Sequence, residues 1–291
     1  MTRIIEVVAD EPTGLLGRLT VVVKGGGDLA TGVAHRLHRV GMRVVVTELA
    51  RPMVIRRAVS FASAVFEGEI VVDGVRACLV DKVDAAHQVD AVHHLLDQGI
   101  IPVIVDPHAD IIQRLRPQVV VDAIMAKRNL GTRVDDAPVV IGLGPGFTAG
   151  VDVHAVIETM RGHHLGKVIM EGSALPDTGV PGSIEGHTRD RVLKSPGEGC
   201  FRACASIGDR VEAGDVVAHA DGQPLQARIS GVLRGILHDG LEVKEGQKVG
   251  DVDPRGVVEH CFTISDKARA IGGGVLEAMM YLWRRSCASD C

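Results

Sequence analysis

A glycine-rich turn near the start of the sequence carries its first chemical signal. Gly25, Gly27 and Ala30 fit the pattern G-x-G-x-x-G/A, with Gly26 and Asp28 between them. In this pattern the first glycine permits a tight turn, the second lets a pyrophosphate approach the backbone, and the third small residue allows a helix to pack closely on a strand. The turn predicts a site for a nucleotide or another phosphate-bearing ligand, and a purely structural turn is the alternative.

Charged residues around this turn refine the prediction. Glu48 ends the next apolar run, about twenty residues beyond the turn, where a carboxylate can hold a ribose hydroxyl. Asp28 would repel a phosphate at the helix start, although it would also serve as an ordinary cap. Arg51, followed by Arg56 and Arg57, favours a ligand with more negative charge than NAD, or a solvated surface.

Polar residues also follow two later apolar runs. Asp106 and Asp122 each close a run typical of a buried strand. Ligands gather at the carboxyl ends of strands in open α/β sheets, so both are candidate site residues, although capping the next segment is the commoner use. Lys127 and Asn129 lie in the loop after Asp122 and could hold a phosphate, a metal or a base edge. A surface turn is the alternative for this loop.

A second glycine-rich turn contains Gly142, Gly144 and Gly146. Backbone N–H groups without a neighbouring Cβ can converge on anionic oxygens, so a second turn strengthens the prediction of a phosphate-rich ligand. Asp152 could cap a following helix, for which the apolar residues of 153–157 have suitable spacing.

Catalytic signals are weaker than binding signals. Arg161 could bind an anion through two hydrogen bonds, and His163 could exchange a proton with a substrate. A structural role for the pair His163 and His164 is the alternative. The sequence offers no convincing set of nucleophile, base and acid, which favours binding over catalysis and leaves any catalytic residue unassigned.

The apolar pattern predicts the elements that position these residues. Hydrophobic residues make up 46% of the 291 residues and aromatic residues only 2%, which favours an α/β protein with a Rossmann-like, mostly parallel, valine-rich sheet. Helical spacing predicts helices after the first turn, over 54–65 and over 84–98, and Asp73-Gly74 predicts a hairpin. Short apolar runs predict strands at 21–23, 44–46, 100–105, 119–121 and 139–141.

The later part of the chain predicts a second unit. Gly208-x-x-Val211-x-x-Gly214 recurs 32 residues later, which predicts a small all-β module that resembles the barrel-sandwich of biotinyl and lipoyl domains. The stretch 219–224, where those carriers have a lysine, has none, so we expect no covalent biotin or lipoate. The predicted domains are 1–185 for the nucleotide- or cofactor-binding sheet, 186–257 for the β module and 258–291 for a helix that packs back on the first domain.

Charge and hydropathy exclude several classes of partner. A net charge of −5 and few aromatic residues argue against a nucleic-acid partner. No apolar stretch approaches the length of a membrane span, and 1–12 does not resemble a signal peptide, so we expect a cytoplasmic protein. Free thiols are therefore expected for the six cysteines, including the spaced pairs Cys200/Cys204 and Cys287/Cys291, and no metal site is predicted.

Six phrases of the sequence carry a resemblance when taken together: KGGGDLATGVA, ELARPMVIRRAVSFASAVFEG, VDAIMAKRNLGT, LGPGFTAGVDVHAVIETMRGHHLG, TGVPG and DVDPR. They resemble the YqeB family, the accessory proteins associated with selenium-dependent molybdenum hydroxylases. The chain is also similar, more distantly, to the XdhC/CoxI proteins that deliver molybdenum cofactor. The resemblance implies a molybdopterin-type cofactor or a nucleotide as ligand, and a molybdenum hydroxylase apoenzyme or cofactor-maturation proteins as partners. An NAD(P)-dependent oxidoreductase with Glu48 on the ribose and His163 as proton donor is the alternative, and homo-oligomer formation is an open expectation.

Overall fold

A computed structural model describes residues 15–80 and 85–289 and shows a mixed α/β fold with one large, mostly parallel sheet and two smaller antiparallel sheets. Residues 1–12, which were compared with a signal peptide above, and the side chains of Cys287 and Cys291 lie outside the described residues.

The large sheet has the strand order β3-β4-β5-β2-β1-β6-β7-β8-β9. Its neighbours are parallel except at the two edges, where β3–β4 forms the predicted hairpin and β9 runs antiparallel to β8. The chain leaves β1 toward β2 on one side and leaves β6 toward β7 on the other, so a crevice opens at the carboxyl ends of β1 and β6. The strands are β1 Thr20–Lys24, β2 Arg43–Glu48, β3 Glu69–Val72, β4 Val75–Leu79, β5 Ile101–Val105, β6 Val119–Asp122, β7 Val139–Leu143, β8 Ala155–Ile157 and β9 Val168–Ile169.

Helices cover both faces of this sheet, which explains why its central strands are apolar throughout. The helices are α1 Asp28–Arg39, α2 Ala64–Glu67, α3 Ala85–Asp97, α4 Ile111–Leu115, α5 Glu259–Phe262 and α6 Asp266–Ser289. On one face α1 and α6 pack over Val21 and Val23, and on the other α3 and α4 pack over Val22 and Val45. Residues Ala268, Ile271, Val275 and Met279 of α6 share this core with α1 and the sheet.

The β unit consists of two four-stranded antiparallel sheets, ordered β10-β17-β15-β12 and β14-β13-β11-β16, around one apolar core. The 32-residue repeat is visible in the pairing: β11 pairs with β13 and β16, and its counterpart β15 pairs with β17 and β12. Each repeat therefore contributes one strand to the other repeat's sheet. The strands are β10 Val192–Lys194, β11 Gly199–Ala203, β12 Arg210–Val211, β13 Val216–Ala220, β14 Gln223–Gln226, β15 Gly231–Ile236, β16 Glu242–Val243 and β17 Lys248–Asp253.

Two predicted helices are wrong. Residues 155–157 form β8, because this apolar run is buried between β7 and β9. The segment 54–65 is mostly two short 3-10 turns, Arg57–Val59 and Phe61–Ser63. Its backbone is used for contact with the β unit, where Ile236 N donates to Ile55 O at 2.9 Å, and this tertiary bond competes with the helix that the spacing favours.

Candidate functional site

The carboxyl edge of the parallel sheet forms one wall of a cavity of about 580 Å³ between the sheet unit and the β unit. The predicted site residues Gly25, Gly27, Asp28, Glu48 and Asp106 all line it. The cavity also receives apolar side chains from the loop after β2, namely Met53, Val54 and Ile55. A mostly apolar cleft with a few polar groups at a sheet's carboxyl edge is the usual setting of a small-molecule site.

The three glycines of the first turn have different physical reasons to be glycine. Gly25 has a φ of +90°, and a Cβ there would lie 3.2 Å from Ala123 O. A Cβ on Gly26 would lie 2.8 Å from Ala62 N. Gly27 has a φ of −64°, which any residue adopts, and the nearest described atom to its Cβ position is Val54 Cγ1 at 3.8 Å. Packing of the described chain therefore accounts for Gly25 and Gly26 but leaves space at Gly27, which faces the cavity.

Helix α1 points its amino terminus into the same cavity. Its first intrahelical hydrogen bond runs from Thr31 N to Gly27 O at 2.8 Å, so the N–H groups of Asp28, Leu29 and Ala30 precede the helical hydrogen-bond ladder. These three residues line the cavity and give its wall a partial positive charge. Asp28 does not cap the helix in the structure. Its carboxylate instead lies 3.4 Å from Arg56 Nη1.

Glu48 holds the glycine turn in place at the end of β2. Its Oε2 accepts a hydrogen bond from Gly26 N at 2.7 Å, and its Oε1 accepts one from Leu49 N at 2.7 Å. Burial raises the pKa of this carboxyl group, and the two backbone donors oppose that rise. Glu48 is thus positioned at the predicted ribose site while each of its oxygens already has one backbone donor.

Lys24 is a cavity residue that sequence reasoning missed. It ends β1 and is only 7% exposed, and its Nζ contacts Thr132 Oγ1 and lies 3.6 Å from Asp122 Oδ2. Thr132 Oγ1 in turn donates to Asp122 Oδ2 at 2.5 Å. The predicted residue Asp122 therefore orients a buried ammonium group at the crevice between β1 and β6. In the sequence, the only indication that Lys24 lies near the site is its position directly before Gly25.

Three other predicted residues have structural contacts. Asp106 accepts hydrogen bonds from Asp110 N and Ile111 N at 3.0 and 2.9 Å, so it caps the turn before α4 while lining the cavity. Asn129 bonds with the backbone of Gly131 and Thr132 within its own loop. Arg51 Nη2 donates to Gly240 O and so ties the sheet unit to the β unit.

The second glycine-rich turn is closely packed against neighbouring chain. A Cβ on Gly142 would lie 2.6 Å from the Phe147 ring, one on Gly144 would lie 2.6 Å from Thr159 Oγ1, and one on Gly146 would lie 2.6 Å from Arg128. The structure places these three glycines outside the residues that line the first cavity. Packing explains each of them without a ligand.

A second cavity of about 520 Å³ adjoins the first, and Asp28, Arg56 and Lys248 line both. The predicted residues Lys127 and Arg161 lie here, away from the glycine turn. Each is paired: Lys127 Nζ lies 2.6 Å from Asp177 Oδ2, and Arg161 donates two hydrogen bonds to Asp266 at 2.7 and 2.9 Å. Lys127 and Arg161 therefore line the second cavity only and Asp28 lines both. The predicted residues that line neither cavity are Gly26, Arg51, Asp122, Asn129, Gly142, Gly144 and Gly146.

The described residues contain no group of three or more histidine, cysteine, aspartate or glutamate side chains arranged to hold a metal ion. Cys78, Cys200, Cys204 and Cys261 are free thiols. Among the helices of residues 15–80 and 85–289, none has the length and hydropathy of a membrane span.

Comparison with known proteins gives one informative relative. The chain is 50% identical over 289 residues to the uncharacterized protein YqeB of Escherichia coli (strain K12). This similarity supports the YqeB family. The alignment includes 97% of the chain but 52% of the relative, so the chain spans about half the length of the curated YqeB protein that it matches. No protein-family model matches the chain.

Solved structures are similar only at a low level. An aspartoacylase family protein from Mesorhizobium loti is 13% identical with a TM-score of 0.24, covering 80% of this chain and 84% of its own. The E. coli tRNA N6-threonylcarbamoyladenosine dehydratase TcdA, in complex with AMP, is 12% identical with a TM-score of 0.31, covering 96% and 91%. Likeness at this level carries no argument about function.

Proposed function

We propose that this protein binds a phosphate-bearing nucleotide or a molybdopterin-type cofactor in the first cavity. It holds that ligand for modification or for delivery to a molybdenum hydroxylase apoenzyme or a cofactor-maturation protein. The open space at Gly27 supports the binding step. The place in maturation is what the resemblance of the sequence phrases to the YqeB family implies. In this proposal the sheet unit is a Rossmann-like binding domain, and the β unit is a barrel-sandwich module without covalent biotin or lipoate.

The residues present fit the phosphate part of such a ligand. The absence of a side chain at Gly27 leaves room for a group to approach the backbone, and packing within the described chain does not require that absence. The amide groups at the start of α1 would donate hydrogen bonds to phosphate oxygens, as helix amino termini do in other nucleotide sites. Lys24 and Arg56 would supply positive charge. The apolar side chains of Met53 and Val54 suit the face of a heterocycle.

Gly27→Ala tests this proposal because its methyl group enters the cavity without meeting the described chain. We expect the variant to keep its fold and to bind its phosphate-bearing ligand at least tenfold more weakly, about 1.4 kcal/mol. Thermal-shift melting would show whether the variant is folded. Calorimetric titration with NAD, NADP, ATP, CTP, GTP and a molybdopterin-dinucleotide extract would measure its affinity for each ligand. For the wild type, a ligand at a hundred times its Kd adds about 2.7 kcal/mol of stability.

Gly273→Ala is the matched control, because its Cβ would lie 3.8 Å from Arg36 Nη1 and its helix does not line the cavity at that point. The control should retain the affinity of the wild type. Equal binding by Gly27→Ala and the wild type would overturn the role of the glycine turn.

An NAD(P)-dependent oxidoreductase is the second candidate, and the position of Glu48 beside the glycine turn favours it. His163, the proton donor expected for that reaction, is exposed and lines neither described cavity, whereas His108 lines the first. Stabilisation by NAD or NADP alone, with turnover of the nicotinamide followed by absorbance, would favour the oxidoreductase. Stabilisation by the pterin extract alone would favour cofactor delivery.

A further inference from the structure

The second cavity is lined by many more cations than acids. Three carboxylates face it, Asp28, Asp177 and Asp251, against seven cationic side chains. The cations are Arg56, Lys127, Arg161, Arg191, Arg234, Lys248 and Lys267. They come from the sheet unit, the β unit and α6, so the cavity is a place where positive charge from distant parts of the chain converges.

Ion pairs within the described chain account for only part of this charge. Lys127 and Arg161 are paired as described above, Arg191 Nη1 contacts Asp251 Oδ1, and Arg56 contacts Asp28. Lys248 and Lys267 have no carboxylate within 4.0 Å among the described residues. Burial is the largest cause that lowers the pKa of Lys267, followed by the charge of Arg161.

Arg234 is the most informative of these residues. It is 8% exposed, and in the described chain its Nε is buried without a hydrogen-bond acceptor. Its nearest carboxylate oxygen is Asp253 Oδ2 at 3.7 Å, and Arg255 already binds that oxygen at 2.6 Å. A buried guanidinium nitrogen without a hydrogen bond is costly, so Arg234 lacks a hydrogen-bonded anionic partner. Arg56 Nε, in the wall shared by both cavities, is also buried without an acceptor.

We propose that the second cavity binds a multiply charged oxyanion of the size of a diphosphate group, with Arg234, Lys248 and Lys267 as its principal cationic partners. An arginine fork matches the geometry of phosphate oxygens, and two lysines add charge without fixed geometry. Two lysines without a carboxylate within 4.0 Å, together with an arginine whose Nε has no hydrogen bond, favour an anion with more than one negative charge. The site is separate from the glycine turn, although the two cavities are connected.

Calorimetric titration of the full chain with inorganic pyrophosphate tests this site without any base or pterin, so its result is independent of the proposed function. We expect saturable binding of one pyrophosphate that weakens as salt is added. Arg234→Met and Lys267→Met should each lose at least tenfold in affinity. Gly27→Ala should bind pyrophosphate as the wild type does.

Arg133→Met is the control for net charge, because Arg133 is exposed, pairs with Asp135 and lines neither cavity. It should bind pyrophosphate like the wild type. The melting temperature of Arg234→Met should be retained, because Asp253 keeps its bond to Arg255. If that variant does not fold, Lys267→Met carries the test. Absence of saturable binding by the wild type, or an equal loss in Arg133→Met, would overturn the site.

A competition experiment between pyrophosphate and the ligand of the first cavity identifies the source of the anion. If pyrophosphate displaces the ligand of the first cavity, the second cavity holds a phosphate group of that same ligand. If both bind together, the anion is a separate molecule. Joint binding supports an anion site that is distinct from the glycine turn. After displacement, equal pyrophosphate affinity of Gly27→Ala and the wild type supports it, and a weaker affinity of Gly27→Ala would overturn it.

Discussion

Burial and hydrogen bonding have opposite effects on the pKa of the Glu48 carboxyl group. Burial raises its pKa above the ordinary value of 4.5, although Leu49 N and Gly26 N both donate to it. The folded state therefore holds the Glu48 proton more tightly than the unfolded state. This contribution to stability is fully present below the unfolded pKa and is lost as the pH rises to the folded pKa.

Glu48→Gln should remove this pH dependence, because an amide does not titrate in this range. Between the ordinary pKa of 4.5 and the folded pKa, the wild type loses stability as the pH rises, whereas the variant does not. The unfolding free energy of the variant minus that of the wild type should therefore rise over this range and then level off. Urea unfolding at a series of pH values measures the difference. A difference that does not change with pH would show that the Glu48 pKa is the same in both states.

Single residues also show how far the sequence predicts the candidate site. Gly27, Asp28, Glu48 and Asp106 all line the first cavity, because parallel strands end at one edge of a sheet. The position of Lys24 before Gly25 is too weak a signal to identify it from the sequence, because a lysine at the end of a strand is usually solvated and only the fold shows its burial.

At the scale of elements, consecutive glycines in α6 have unequal roles. A Cβ on Gly274 would lie 2.1 Å from Gly166 O, whereas one on Gly273 would lie 3.8 Å from the end of a flexible arginine. Gly274→Ala should lower the free energy of unfolding by about 1–3 kcal/mol through overpacking. Gly273→Ala should raise it by about 0.5–1 kcal/mol, because alanine favours the helix.

Chemical denaturation of both variants measures this contrast, in which each alanine is the control for the other. Equal effects would mean that helix propensity alone decides stability at these positions. A Cβ on Gly272 would lie 2.8 Å from Gly32 O, so two of the three consecutive glycines are closely packed, and α6 continues through all three as one helix.

The elements that sequence patterns predict well are those with local causes. The hairpin at Asp73-Gly74 and helix α3 follow from turn chemistry and from spacing over more than ten residues. Strand β8 is only three residues long, which is too short for its periodicity to distinguish a strand from a helix. The 54–65 segment has helical spacing, but its conformation is decided by contact with a strand about 180 residues away.

At the scale of the whole molecule, the second cavity exists only because two units and α6 meet. Arg191, Arg234 and Lys248 belong to the β unit, whereas Lys127 and Arg161 belong to the sheet unit and Lys267 to α6. These positions are too far apart in the sequence for spacing to relate them. The cavity therefore could not be predicted before the docking of the units was known.

Gly235 on β15 fixes that docking, because its Cβ would lie 2.7 Å from Ile55 Cγ2 and 2.9 Å from Ile55 O. Next to it, Ile236 N donates to Ile55 O, and Arg57 Nε donates to Ile236 O at 2.8 Å.

Gly235→Ala should push the β unit away from the sheet unit. We expect it to lower the free energy of unfolding by about 1–3 kcal/mol and to weaken pyrophosphate binding. Gly199→Ala is the matched control, because its Cβ would meet Asp221 Cβ at 2.7 Å inside the β unit, and Gly199 lines neither cavity. It should lose similar stability in urea unfolding but keep its calorimetric affinity, since it leaves the contact with Ile55 in place. Unchanged pyrophosphate binding by Gly235→Ala would show that the anion site does not depend on how closely the two units dock.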